Sequence, residues 1–315
     1  SGTVTIEDLS YSVTTLPDKS TNSISIQNAG GYFGGNLGTA THVDETSYSS
    51  YETAEVHFEF ANSGLNLYIL GDAGNTIDQW TCGTAYDMST CSYTASSASV
   101  SGSNPYGITV SSDGTKMWHV GNPNYIYYHT LSTPFDITTI TLNVGTALNI
   151  SSSSTHAKGL QWKDDGTHIY FIDDASGNLK DWACTTAYDI NSCTSSTSSN
   201  IGAGNMVVDF IFVANGDMLY TAQFNTDTIY QYSCGTAWDI SSCSTSVSSV
   251  GIGSQDNTPN GLYVSPLGDK VFIAGNQGDD ITEYSMSAGT SGTFIVTESY
   301  TPTSTTGIIG NAIED

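Results

Sequence analysis

The sequence predicts an all-β chain built from repeated four-stranded antiparallel units, the blades of a β-propeller, most simply with six blades. Three observations carry this expectation. Five segments of the 315-residue chain align on turn glycines Gly64, Gly114, Gly166, Gly216 and Gly268, spaced 50, 52, 50 and 52 residues apart. Within each segment apolar and polar residues alternate at the two-residue period of a strand, and no stretch shows a 3.6-residue apolar period of useful length. All six cysteines fall in pairs with eight residues between them, as CGTAYDMSTC, CTTAYDINSC and CGTAWDISSC.

The elements follow in chain order. Residues 1–28 read as N-terminal strands, because SYSVTTLPDKSTNSISI echoes YYHTLSTPFDITTITL, the back half of a repeat. Residues 29–53 are rich in glycine and serine and read as a long loop on one face. Residues 54–300 hold the five repeats, and residues 301–315 supply one closing strand, Gly307 to Ile313. The two end segments are expected to build a sixth, composite blade, or to be donated to a neighbouring subunit.

Each repeat has one plan. An alternating strand runs into a tight turn such as Asp113-Gly114, a strong hairpin signal. A second strand leads to a polar turn with Asn75, Asn124, Asn178, Asp227 or Asp280 at a fixed place. A third strand carries Trp80, His129, Trp182, Tyr232 or Tyr284 two residues before the cysteine position, and a Ser/Thr-rich fourth strand ends the unit. Four antiparallel strands per 40–50 residues is the propeller signature.

The cysteine pairs read as disulfides Cys82–Cys91, Cys184–Cys193 and Cys234–Cys243. Where the second and fifth repeats lack cysteine they carry apolar pairs, Leu131 with Ile140 and Met286 with Ile295. Such positions face one another across the third–fourth hairpin, so each cystine staples the outer edge of a blade, where fraying and edge-to-edge pairing begin. No pair is CxxC and no histidine accompanies one, which argues against redox and zinc chemistry.

Composition narrows the function. Six lysines, no arginine and 31 acidic residues give a net charge of −25, although charged residues make up only 12% of the chain. Nucleic acid and anionic membrane surfaces are poor partners for such a protein, and no run of 18 apolar residues exists to span a bilayer. Disulfides, together with a first residue that is not Met, point to a processed protein in an oxidising, extracellular setting.

The units GITVSSDGTKM and YHTLSTPFDITT resemble the roughly 50-residue propeller repeats of secreted and phage-borne proteins from aquatic bacteria and environmental sequences, and more distantly the YVTN type of surface-layer propeller. The resemblance covers about 80% of the chain. It implies fold and carries no activity, since fold does not determine function.

Catalytic constellations are sparse. The stretch Ser111 to Trp118 is similar to the Asp-box of sialidases, but those enzymes clamp a carboxylate with arginines and this chain has none. Asp209 and Glu59 lie in inner-strand regions without a convergent ligand set for a lactonase-type calcium. The histidines (His42, His57, His119, His129, His156, His168) lack HxH or HxxxH spacing. His129 reads as a packing substitute for Trp or Tyr. His57 and His119 are the two histidines placed near the channel. No cofactor is expected beyond loosely held calcium at acidic turns, which lack the DxDxDG pattern.

Tyr32, Phe33, Tyr48 and Tyr51 do not follow the repeat, so any ligand face is expected there. Asn149-Ile150-Ser151 is an N-glycosylation sequon. The reading that results is an extracellular, non-enzymatic structural or adhesive propeller that self-associates. A glycan-binding propeller is the alternative, and a propeller hydrolase or lyase the third possibility.

Overall fold

The computed structural model describes residues 24–28, 35–52, 56–201, 206–243, 246–287 and 294–298. They form two compact units, a ring spanning residues 34–288 and a terminal unit of residues 1–33 with 289–315. In the terminal unit, Ile24–Asn28 pairs antiparallel with Phe294–Glu298, from Ile24 opposite Glu298 to Asn28 opposite Phe294.

The ring is a β-propeller of five four-stranded blades. Blade 1 runs outward from the axis as Val56–Ala61, Asn66–Gly71, Ile77–Cys82 and Cys91–Ser96. Blade 2 is Ser103–Val110, Lys116–Asn122, Tyr125–Leu131 and the short Ile140–Thr141, with Leu148–Asn149 also on its third strand. Blade 3 is Ala157–Trp162, His168–Asp173, Asn178–Cys184 and Cys193–Asn200. Blade 4 is Val207–Val213, Met218–Gln223, Thr228–Ser233 and Ser246–Gly251. Blade 5 takes Pro259–Val264, Lys270–Gly275 and Asp280–Ser285 from the C-terminal side and its outer strand, Thr41–Ser47, from the N-terminal side. The five inner strands touch in cyclic order, blade 5 against blade 1 included.

Two expectations are thereby corrected. The ring has five blades rather than six. Of the predicted composite strands, Ile24–Asn28 pairs with Phe294–Glu298 and not with a blade, and residues 1–23 and 301–315, with the expected closing strand Gly307 to Ile313, lie outside the described residues. The segment 29–53, read as a loop, contains the strand that closes the ring, with Thr41 opposite Ser285 and Ser47 opposite Asp280. Ile295 accordingly does not face Met286. It pairs with Gln27.

The repeated ten-residue loop explains why this closure works. Its aromatic residue (Tyr86, Phe135, Tyr188 or Trp238) adopts a positive φ of 55–62°. From there its N–H donates to the turn glycine's carbonyl, Gly64, Gly114, Gly166 or Gly216, at 2.9–3.1 Å. Its ring lies so close over that glycine that a Cβ there would sit 2.4–2.6 Å from ring atoms. The next residue (Asp87, Asp136, Asp189 or Asp239) caps a 3₁₀ turn by accepting from the N–H two residues on. The one after (Met88, Ile137, Ile190 or Ile240) is at most 1% exposed and packs into the preceding blade. Each such plug contributes about 1.5–3 kcal/mol of apolar burial.

Blade 5 repeats the device with N-terminal residues. Gly35 donates to Gly268 O at 2.6 Å, the Asn36 side chain caps Gly38 N, and Leu37 is fully buried in the core with blade 4 residues. Third-strand polar side chains receive these plugs: Gln79 accepts from Ile137 N, Gln231 from Leu37 N and Glu283 from Met88 N, at 2.8, 3.1 and 3.3 Å.

Candidate functional site

Two places concentrate side chains that packing alone does not require. The first is the axis. Seven residues before each turn glycine the inner strands carry His57, Gly107, Gly159, Asp209 and Gly261. Side chains are excluded at all three of these glycines by close approach: a Cβ on Gly107 would lie 2.9 Å from Gly159 Cα, one on Gly261 2.9 Å from Val56 O, and one on Gly159, whose φ is +55°, 2.5 Å from Asp209 Oδ1. His57 and Asp209 occupy the room that the glycines leave, with Nδ1 to Oδ2 3.4 Å. Asp209 also accepts from Leu262 N at 2.9 Å and Phe210 N at 2.8 Å. His57 Nε2 is buried without a hydrogen-bond partner.

Edge-on to the His57 ring, 6.5 Å away, stands Tyr106. Lys158 Nζ lies 5.1 Å from the centroid of Tyr106 and 3.4 Å from Asp174 Oδ2, and both charged groups are buried. His156, more exposed, reaches the same carboxylate at 3.4 Å. This arrangement offers one oriented imidazole, but all its members except His156 are buried. Among the described residues no group of three His, Cys, Asp or Glu side chains is placed to hold a metal ion.

His119 is not at the channel. It sits in the second strand of blade 2, with its Nδ1 2.7 Å from His129 Nε2, so His129 is a hydrogen-bonding partner and not only packing. Neighbouring inner strands are also tied by side chains: Glu59 accepts from Val110 N at 3.0 Å, and Gln161 both accepts from Phe212 N and donates to Phe212 O. Burial pushes the Glu59 carboxyl well above its usual range.

The second place is the rim of blade 1. Of the four predicted ligand aromatics, Tyr32 and Phe33 lie outside the described residues. Tyr48 is 1% exposed and its hydroxyl donates to Gly275 O, which removes it as a surface contact. Tyr51 is 42% exposed and stacks on Tyr93, itself 36% exposed, with centroids 4.1 Å apart and planes 19° apart. Trp80 meets both rings edge-on, at 5.3 and 6.3 Å. Tyr93 Oη is 2.9 Å from Ser96 Oγ, which donates to Asp78 at 2.5 Å, and Thr76 donates to the same carboxylate. Burial raises the Asp78 carboxyl above its usual range. Sequence reasoning missed Tyr93, although Leu142 and Ser195 at the matching places of blades 2 and 3 mark it as a departure.

The three disulfides form as paired: Cys82–Cys91 and Cys184–Cys193 join the end of a third strand to the start of the fourth, and Cys234–Cys243 joins the two ends of the loop after the third strand of blade 4. They fit an oxidising compartment. Asn149 is exposed on the edge of blade 2; its Oδ1 accepts from Ser151 N and its Nδ2 donates to Tyr125 Oη. The predicted turn positions shift by one in two blades: the left-handed residues are Asn75, Asn124, Gly177, Asp227 and Asp279. At the end of the strand before the blade 3 turn, the Asp173 carboxylate accepts from Ser154 Oγ and the N–H groups of Thr155 and His156. A shallow depression of about 410 Å³ lies between the tip of the blade 5 hairpin and the blade 1 loop, lined by Ser63, Tyr86, Leu267 and Lys270 among others. No helix among the described residues is long and apolar enough to cross a membrane.

Neither a family model nor a curated protein matches this chain. Among solved structures it is similar to a functionally unknown protein from Desulfotomaculum acetoxidans, at 15% identity and TM-score 0.44, with 70% of this chain and 62% of that one covered. It is also similar to the Cps50 (Swd1) β-propeller domain of Myceliophteria thermophila, at 9% identity and TM-score 0.48, covering 79% of this chain and all of that one. A luciferin-regenerating enzyme is similar at 12% identity and TM-score 0.49, with 79% and 98% covered. The propeller assignment rests on the strand pairing described above.

Proposed function

We propose that this chain is an extracellular, non-enzymatic structural or adhesive propeller that self-associates through its terminal strands. One observation supports the reading above others: the ring completes all five blades between Gly35 and Ser287, so Ile24–Asn28 and Phe294–Glu298 are not used to build a blade and pair with each other. Among the described residues this ribbon has two strands, and a two-stranded ribbon is marginally stable alone. Strand addition by a second copy extends it, and backbone hydrogen bonding along Ile24–Asn28, which carries no charged residue, is the contact least opposed by a net charge of −25.

The test is negative-stain electron microscopy and light scattering of the purified full chain beside Ser25→Pro and Thr297→Pro variants, since proline cannot donate to a ladder. Filaments or oligomers that are lost in the variants support the reading. A monomer at all concentrations and salt conditions overturns it. The alternative, a glycan-binding propeller, is favoured by the exposed Tyr51–Tyr93 pair.

A further inference from the structure

We propose that Tyr51 and Tyr93 form a carbohydrate-binding platform on the rim of blade 1, taking the apolar face of a neutral hexopyranose. The inference draws on the adhesive side of the reading above and is independent of self-assembly.

Two sets of aromatic side chains in the ring follow the repeat and are explained by it: Tyr86, Phe135, Tyr188 and Trp238 cover turn glycines, and Tyr68, Tyr170 and Tyr220 are buried between blades. Tyr51 and Tyr93 do neither. Thirteen residues before the turn glycine, where blade 1 has Tyr51, the other repeats have Ser101, Ser153, Ala203 and Gln255. Two residues after the first outer-strand position, where blade 1 has Tyr93, blades 2 and 3 have Leu142 and Ser195. The fold is therefore built at both positions without an aromatic ring, and in blade 1 alone it carries two, stacked and open to water.

Three features make the pair a recognition surface for sugar rather than an incidental apolar patch. Trp80 meets both rings edge-on and the Cys82–Cys91 disulfide fixes the hairpin that carries Tyr93, so the rings are held before a ligand arrives. Flat, rigid aromatic faces with a polar end suit ligands that are apolar on one side and hydroxylated on the other. Beside the rings, Tyr93 Oη, Ser96 Oγ, Thr76 Oγ1 and the Asp78 carboxylate form one hydrogen-bonded row that a sugar hydroxyl can extend.

Charge selects the sugar class. Asp78, Glu52 and Asp72 stand close enough that Asp78 and Asp72 both help to raise the Glu52 carboxyl, after burial. An acidic sugar meets repulsion there, and a neutral one does not.

The test is saturation-transfer NMR on the full chain with methyl β-glucopyranoside, methyl β-galactopyranoside and glucuronate at millimolar concentration. Tyr51→Ser and Tyr93→Ser are the variants, because serine already occupies both positions in blade 3 and the ring tolerates it there. Transfer to the ring protons of at least one neutral glycoside is expected, with binding weakened about tenfold in either variant. Absence of transfer to both neutral glycosides, transfer unchanged in both variants, or a preference for glucuronate would each overturn the proposal. Filament formation is read separately on the same samples, so the failure of one idea is distinguishable from failure of the other.

Discussion

His57 and Asp209 face each other at the axis, Nδ1 to Oδ2 at 3.4 Å, at the level where the other three blades carry glycine. Asp209 there also holds the Leu262 N–H of the neighbouring blade. Asp209→Ala removes that acceptor and empties part of the axis, so it is expected to cost about 2–3 kcal/mol. Asp209→Asn keeps an oxygen for Leu262 and is expected to cost less than half as much. Urea unfolding of the two variants checks this. Equal losses would show that the bond across the blade seam contributes nothing.

The staples give a second expectation. Closing loops nine residues apart, each cystine yields roughly 2–3 kcal/mol in the chain-entropy model. Blade 2 makes the same hairpin with Leu131 opposite Ile140. Replacing Cys184 and Cys193 by Leu and Ile is therefore expected to recover part of what a double alanine variant loses. Midpoints of denaturant unfolding decide the matter, and identical losses for both variants would rule out apolar packing at this site.

What the sequence revealed and what it hid have a common physical cause. Turn glycines, cystines and the Asp-capped loop recur because five blades must meet one set of packing rules, and recurrence is visible in one chain. The outer strand of blade 5 was hidden because its segment carries Gly35 where four blades carry an aromatic. Asn36, Leu37 and Thr39 nonetheless keep the cap, plug and hydroxyl of YDMST, and aligning on those three residues finds the outer strand of the fifth blade. His57, Asp209, Tyr51 and Tyr93 are departures from the repeat, and a departure acquires meaning only when its neighbours across the ring are known.

Glu59 supplies a third expectation. Its half-buried carboxyl accepts from Val110 N, and loss of solvation favours the protonated form. At the same position of blade 3, Gln161 accepts from Phe212 N and donates to Phe212 O. Glu59→Gln installs that neutral arrangement. A gain of about 1 kcal/mol at pH 7, seen as a Tm higher by about 2–4 °C, is expected. Because the folded carboxyl titrates above its unfolded value, the parent is stabilised below that value and loses this as pH rises. The advantage of the variant should therefore shrink towards pH 4. A lower Tm at pH 7 would contradict the argument.

The His119–His129 pair makes the ring acid-sensitive, and its partners determine the sense of the effect. Asn143 N–H donates to His129 Nδ1 at 2.9 Å, and Ser101 O accepts from His119 Nε2 at 3.0 Å. His129 Nε2–H is then left to donate to His119 Nδ1, at 2.7 Å. Each ring carries one proton and both are neutral. A further proton would set a donor against a donor in a fully buried site. Burial lowers His119 to about 4, and burial with the His119 charge lowers His129 to about 2. Both folded values lie below the unfolded value of about 6.5, so the unfolded chain takes up protons first as pH falls. Their stabilisation is complete above pH 6.5 and is lost towards pH 4 for His119 and pH 2 for His129. Blade 5 has Ile273 and Tyr284 at these places, so the double variant His119→Ile, His129→Tyr gives a reference that lacks these two titrating groups. Between pH 7 and pH 5 the parent is expected to lose about 2–4 kcal/mol more unfolding free energy than the variant. Parallel pH profiles in urea unfolding would mean that the pair takes up protons as readily in the folded ring as in the unfolded chain.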